Sequence, residues 1–417
     1  TIGGDCSSDN NTAVADNMTV SFAALADGHY ANCTITVTDS AGNTQTISVN
    51  TFTIDTTAPT LAQVAAVTTP TKDTTPSYTF SSNEAGNITY GVCSGSPNNA
   101  SAGNNTITFD ALADATYSDC TITVTDSAGN ASSALSVNTF VVDTTAPSLS
   151  QVTAVTSPKN DPTPGYAFSS NEAGTISYSG SCSSGVTSAS SGTNSISFNT
   201  LSEGSYSNCT ITVTDLAENA SSALSVNTFE IDTTVPTVSS VSSSNTDGYF
   251  GIGDNITLTI QFSENMIVDN SSGNPRVQLE TGTNDRYADY ISGSTSNILY
   301  FLYKVQSGDN SSDLDYKATD SLSLNSGSIR DNATNDATLT LPSPGATGSL
   351  GINKSIVIDA IIPTVLSITP ADDQGGISIT DNVSVTVSES MDTTSVTTNT
   401  SNTTCSGTLL VSSDNFS

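Results

Sequence analysis

The chain has 417 residues, with 8 Lys plus Arg against 40 Asp plus Glu, and a formal net charge of −32 at pH 7. That imbalance excludes recognition of DNA, RNA or an anionic membrane through a basic patch. It contains no apolar run of the roughly 18 residues that a membrane helix needs. The Thr-, Ser-, Asn- and Gly-rich, Trp-free composition would suit a disordered stalk, but the apolar residues alternate strictly, which only half-buried strands require.

One hexapeptide punctuates the chain. Ile54-Asp55-Thr56-Thr57-Ala58-Pro59 returns as Val142-Asp143-Thr144-Thr145-Ala146-Pro147 and as Ile231-Asp232-Thr233-Thr234-Val235-Pro236. A fainter copy stands at Ile358-Asp359-Ala360-Ile361-Ile362-Pro363. The period of about 90 residues is too long for a solenoid repeat and close to one small β-sandwich. Each copy therefore reads as a junction, the aspartate ending one domain and the proline opening the next. The expected domains are 1–55 (partial), 56–143, 144–232, 233–359 (longer, with an insertion) and 360–417 (partial). The fold class expected is all-β, a tandem array of immunoglobulin-like sandwiches, and the chain reads as a piece of a longer array.

In the first unit Met18, Val20 and Phe22 alternate, as do Ile35 and Val37. Tyr30 precedes Cys33, as Tyr117 precedes Cys120 and Tyr206 precedes Cys209. A tyrosine at this place suits either a tyrosine corner, which pins the crossover before the next strand, or a plain core position. The second unit spells out the strands: Tyr78 and Phe80 (B), Ile88 and Tyr90 (C), Ile107 and Phe109 (E), Ile122 and Val124 (F). Leu135 and Val137, then Phe140 and Val142, mark the last strand (G). The extra residue at Asn138-Thr139 predicts a β-bulge, repeated at Asn50-Thr51 and Asn227-Thr228. Cys6 and Cys33, Cys93 and Cys120, and Cys182 and Cys209 share one spacing, so each unit should hold its own disulfide between the end of C and the start of F. That places the chain in an oxidising, extracellular or periplasmic compartment. Cys405 is left over from this pattern, with no cysteine 27 residues after it.

The third unit repeats the second. The fourth has no cysteine; Ile256, Leu258, Ile260 and Phe262 form one strand, and Leu299, Phe301 and Tyr303 another. Its insertion carries Arg276, Arg286, Lys304 and Lys317. The acidic loop Asp309 to Asp315 lacks the glycine and terminal glutamate of an EF-hand and reads as solvated.

Three kinds of acid recur. The junctions carry Asp55, Asp143, Asp232 and Asp359; the B–C loops carry Glu84, Glu172, Glu264 and Glu389; the F–G loops carry Asp126, Asp215 and Asp331. In an immunoglobulin-like sandwich these three places share one pole. Asp55–Glu84–Asp126, Asp143–Glu172–Asp215 and Asp232–Glu264–Asp331 should therefore converge, and Asp359 with Glu389 would begin a fourth set. Carboxylates about 5 Å apart repel by roughly 3 kcal/mol per pair at an effective dielectric of 20. A hard divalent cation relieves this, and oxygen-only ligands in an extracellular setting favour structural calcium. The alternative is that each acid caps a turn, since Asp-x-x-Gly-Asn is good turn chemistry without metal. No catalytic constellation appears: His29 is the only histidine, and nucleophile elbow and phosphate loop are absent.

The DTTAPT junctions with SNEAG and VTDSAGN loops resemble the bacterial Ig-like repeats of large surface adhesins and biofilm-associated proteins. FSENM, IRDNATND and VTVSESMD resemble related Ig-like modules of S-layer-type proteins. The resemblance implies a non-catalytic extracellular stalk, stiffened by calcium between domains, that serves adhesion or biofilm formation at the cell surface. The receptor or glycan gripped would lie with other parts of the parent. A spacer within a secreted hydrolase, or a carbohydrate- or protein-binding module, are the alternatives.

Overall fold

The computed structural model describes residues 1–8, 12–371, 374–376, 378 and 382–391; Cys405 lies outside them. The protein is all-β, built of small and mostly antiparallel sheets. One helical turn, Leu350–Asn353, interrupts the strands among the described residues. The chain divides into two compact units, one of residues 1–156, 163–201 and 205–229, the other of residues 157–162, 202–204 and 230 onward.

Residues 56–143, within the first unit, show why the alternation arises. One sheet runs Leu61–Ala65, Ser77–Ser82, Gly103–Phe109, Gly95–Ser96 in spatial order. The facing sheet runs Asn99–Ala100, Gly86–Tyr90, Thr121–Thr125, Leu135–Ser136. These are the A-B-E-D and C-F-G orders of an immunoglobulin-like sandwich. Side chains alternate across a strand, so Tyr78, Phe80, Ile107 and Phe109 from one sheet meet Ile88, Ile122 and Val124 from the other in one buried core. Burying each such side chain contributes about 1.5–3 kcal/mol. Residues 144–229 repeat the scheme, with Gly165–Ser170 between Leu149–Thr153 and Gly192–Ser197, and Thr210–Thr214 between Gly174–Ser179 and Leu224–Ser225.

Three disulfides form as the spacing predicts: Cys6–Cys33, Cys93–Cys120 and Cys182–Cys209, with Cα atoms 5.3, 5.2 and 5.3 Å apart. Each closes the gap between the end of strand C and the start of strand F, and all six sulfurs belong to buried residues. The tyrosines act as corners. Tyr30 donates its hydroxyl to the Ala26 carbonyl at 2.8 Å, and Tyr117 to Ala113 at 3.0 Å. Their rings stack on Phe52 and Phe140.

The expected bulge in strand G is a full break instead. Leu135–Ser136 pairs with Thr121–Thr125, whereas Phe140–Val142 pairs with Ala115–Tyr117. Asn138 explains the break. Its side chain accepts from Val67 N at 2.8 Å and donates to Val67 O at 3.0 Å, taking the place of a ladder pair. Asn227 does the same to Val155.

In the compact unit that holds residues 230 onward, a larger sheet runs Val238–Ser243, Asn255–Asp269, Ser296–Lys304, Arg286–Ser292, Arg276–Leu279, Leu322–Ser323. Its inward residues include Ile256, Leu258, Ile260, Phe262, Leu299, Phe301 and Tyr303, all buried as the alternation predicts. The loop Asp309 to Asp315 is not simply solvated. Asp309 is 1% exposed and Leu314 is fully buried. The Asp309 carboxylate accepts from Arg286 Nε at 2.8 Å, Tyr303 OH at 2.6 Å and Gln306 N at 2.8 Å. Arg286 on a sheet strand needs a counterion, and the loop folds inward to supply it.

Candidate metal centre

The three predicted acid sets converge. In Asp55–Glu84–Asp126, Asp143–Glu172–Asp215 and Asp232–Glu264–Asp331, one carboxylate oxygen of each member lies within 4.8 Å of the others. Local hydrogen bonds aim each acid. Asp126 follows strand Thr121–Thr125; its Oδ1 accepts from Ala128 N and Asn130 N at 2.8 and 2.9 Å, and its Oδ2 from Asn130 Nδ2 at 2.9 Å. The turn places Gly129 at φ 94°, a left-handed conformation that glycine adopts freely. Asp215 and Asp331 are bound alike by Asn219 and Asn335. Glu84 sits where Ser82 Oγ accepts from its amide and donates to its carbonyl, while Asn83 Nδ2 donates to Glu84 Oε1 at 3.0 Å. Asp55, Asp143 and Asp232 each accept the amide of the second following threonine. Turn capping and convergence are thus not alternatives: each F–G aspartate caps its turn and also reaches the cluster.

Among the described residues no basic side chain pairs with these sets. The ion pairs among the described residues are Lys72–Glu218, Arg286–Asp309, Lys317–Asp285 and Arg330–Asp336, and none includes one of the nine acids. Yet Asp126 is only 7% exposed and Asp331 only 2%. Burial, then the charges of Asp232, Asp331 and Glu203, push the Glu264 carboxyl above its ordinary range. The Asn130 side chain above all holds Asp126 below that range. Carboxylates crowded within 4.8 Å, with no ion pair to them among the described residues, fit a hard divalent cation.

Asp359 and Glu389 are not gathered with a third acid among the described residues. Glu389 Oε1 is nevertheless shielded from solvent and meets no hydrogen-bond partner there.

A further acid escaped the sequence reading. Asp27 Oδ1 accepts from Thr56 N and Oγ1 at 3.0 and 2.8 Å, and its Oδ2 from Thr57 Oγ1 at 2.8 Å. Asp114 grips Thr144 and Thr145 in the same way. Glu203 grips more loosely, with Thr234 Oγ1 at 2.7 Å and Thr233 Oγ1 at 3.4 Å. The threonine hydroxyls, Thr56 before Thr57 and Thr144 before Thr145, hold Asp27 and Asp114 below the usual carboxylate range. The signal lies in the sequence, where an acid stands three residues before each of Tyr30, Tyr117 and Tyr206.

No family model matches the chain, and no curated protein matches it. Among solved structures it is similar to dimeric latent PorU from Porphyromonas gingivalis, at 14% identity and a TM-score of 0.17 over 73% of this chain and 34% of that one. It is also similar to the full extracellular region of plexin A4, at 12% identity and a TM-score of 0.18 over 74% and 25%. A Salmonella alpha-2-macroglobulin reacted with methylamine follows at 10% identity and a TM-score of 0.14 over 70% and 23%. The chain spans 34% or less of each of these structures, and likenesses at such TM-scores carry no argument about function.

Proposed function

We propose that this chain is a non-catalytic segment of a secreted or cell-surface stalk, similar to those of bacterial adhesins and biofilm-associated proteins, whose repeat junctions are ordered by bound calcium. The observation that carries the reading is the threefold convergence of a junction, a B–C-loop and an F–G-loop carboxylate within 4.8 Å, with no lysine or arginine paired to them among the described residues. Asp55, Glu84 and Asp126, and their counterparts in the other two sets, would hold the ion. Its charge would cancel the mutual repulsion of the three acids and join the end of one repeat to two loops of the next. The oxygen-only donor set favours calcium over zinc or copper. Three buried disulfides support an oxidising compartment, where free calcium is plentiful.

With calcium at tenfold its dissociation constant, each junction would gain about 1.4 kcal/mol of order. That biases a hinge without locking it. Small-angle scattering in calcium and in chelator tests the reading. Chelation should broaden the distance distribution and shift the maximum dimension; a profile unchanged by chelator would count against it.

A further inference from the structure

We infer that Asn130, Asn219 and Asn335 are positioning residues that tie each repeat to the one before it through a hydrogen-bond latch needing no ion. Each amide nitrogen bridges two acceptors. Asn130 Nδ2 donates to Asp126 Oδ2 and to the backbone carbonyl of Asp55, both at 2.9 Å. Asn219 Nδ2 donates to Asp215 Oδ2 at 3.0 Å and to Asp143 O at 2.8 Å. Asn335 Nδ2 donates to Asp331 Oδ2 at 2.8 Å and to Asp232 O at 2.9 Å. The partners across the junction are 75, 76 and 103 residues apart in sequence, so nothing local enforces the contact.

The chemistry explains the residue. A short side chain with two N–H donors on one atom can serve a carboxylate and a carbonyl together; serine offers one donor and ionised aspartate none. The third repeat replaces the turn glycine by Glu218 and the fourth by Thr334, both at positive φ, yet the asparagine contacts persist. The junction residue is held from the other side as well. Asp143 N donates to Thr71 O at 2.9 Å and Asp232 N to Lys159 O at 3.0 Å, both within the preceding repeat. The coupling thus runs through the main chain of a single aspartate, whose N–H faces back and whose C=O faces forward. The latch also fixes the peptide from which the junction carboxylate hangs, and this last step alone rests on the cation reading above.

Hydrogen exchange read by mass spectrometry on the full chain, in chelator, tests the latch without involving any ion. Peptides covering 142–148 should be protected in the wild type. Asn219→Ala should speed their exchange about fivefold, the worth of one hydrogen bond. Peptides covering 54–60 and 231–237 should not change. Asn219→Asp, which keeps the size and loses both donors, should do the same. Should Asn219→Ala also expose strand Thr210–Thr214, Asn130→Ala read at 54–60 decides in its place. Wild-type exchange at the mutated junction in these variants would overturn the latch. A second arm repeats the experiment in calcium. If the ion alters no junction in the wild type, the cation reading fails while the chelator result still decides the latch.

Discussion

Asp309 and Asp331 are equally hidden from solvent, at 1% and 2% exposure, and differ in what neutralises them. Asp309 has Arg286 at 2.8 Å, a tyrosine hydroxyl and a backbone amide. Asp331 has hydrogen bonds from Asn335 and two more carboxylates beside it. Removing the first arrangement leaves a half-buried guanidinium unpaired, so Asp309→Ala should lower stability by about 3 kcal/mol in chemical denaturation. Removing charge from the second should help as long as no ion is present. The Glu264 carboxyl is raised chiefly by burial, so its folded form binds a proton more readily than its unfolded form, and stability is lost as pH rises through the folded value. Glu264→Gln should therefore raise the melting temperature in chelator near neutral pH and abolish the further rise that the proposed calcium site would give the wild type. Asp114 behaves oppositely. Its folded value is lowered, chiefly by the Thr144 hydroxyl and then by Thr145, so its contribution is present above the unfolded value and lost as pH falls through the folded one. Melting curves in chelator from pH 5 downward should show this loss setting in below about pH 4, and Asp114→Asn should flatten it.

At the scale of strands and loops, the sheets were legible because alternation is set by covalent geometry: Tyr78 and Phe80, or Ile122 and Val124, must face one side together. The disulfides were legible because the same spacing recurred three times. The break at Asn138 was only half legible, since an extra residue shows in the period but its bidentate bond to Val67, 71 residues away, does not. The Asp309 loop failed for a related reason: its counterion comes from a distant strand, and hydropathy alone reads charge as exposure. Asp27 and Asp114 were hidden in plain pattern, because their partners are threonines of the junction rather than neighbours in sequence. The disulfide gives this scale its own prediction. Replacing Cys93 and Cys120 together by alanine should destabilise residues 56–143 by about 3 kcal/mol, read by denaturant unfolding, and leave exchange in residues 238–304 unchanged.

For the whole molecule the governing quantity is the charge of −32. Much of it is spread over carboxylates outside the three acid sets. Another part is gathered three times at a seam between repeats, where the sequence shows it as acids that return from unit to unit while their surroundings drift. The seam is tied by asparagine and threonine side chains and leaves its carboxylates crowded, an arrangement able to hold a metal ion. Calcium binding to the chelator-stripped chain, followed by isothermal titration, tests this most directly. At least the three ions that the three acid sets imply should bind, with one site lost in Glu172→Gln combined with Asp215→Asn. Absence of binding at millimolar calcium, or a stoichiometry indifferent to those substitutions, would contradict it.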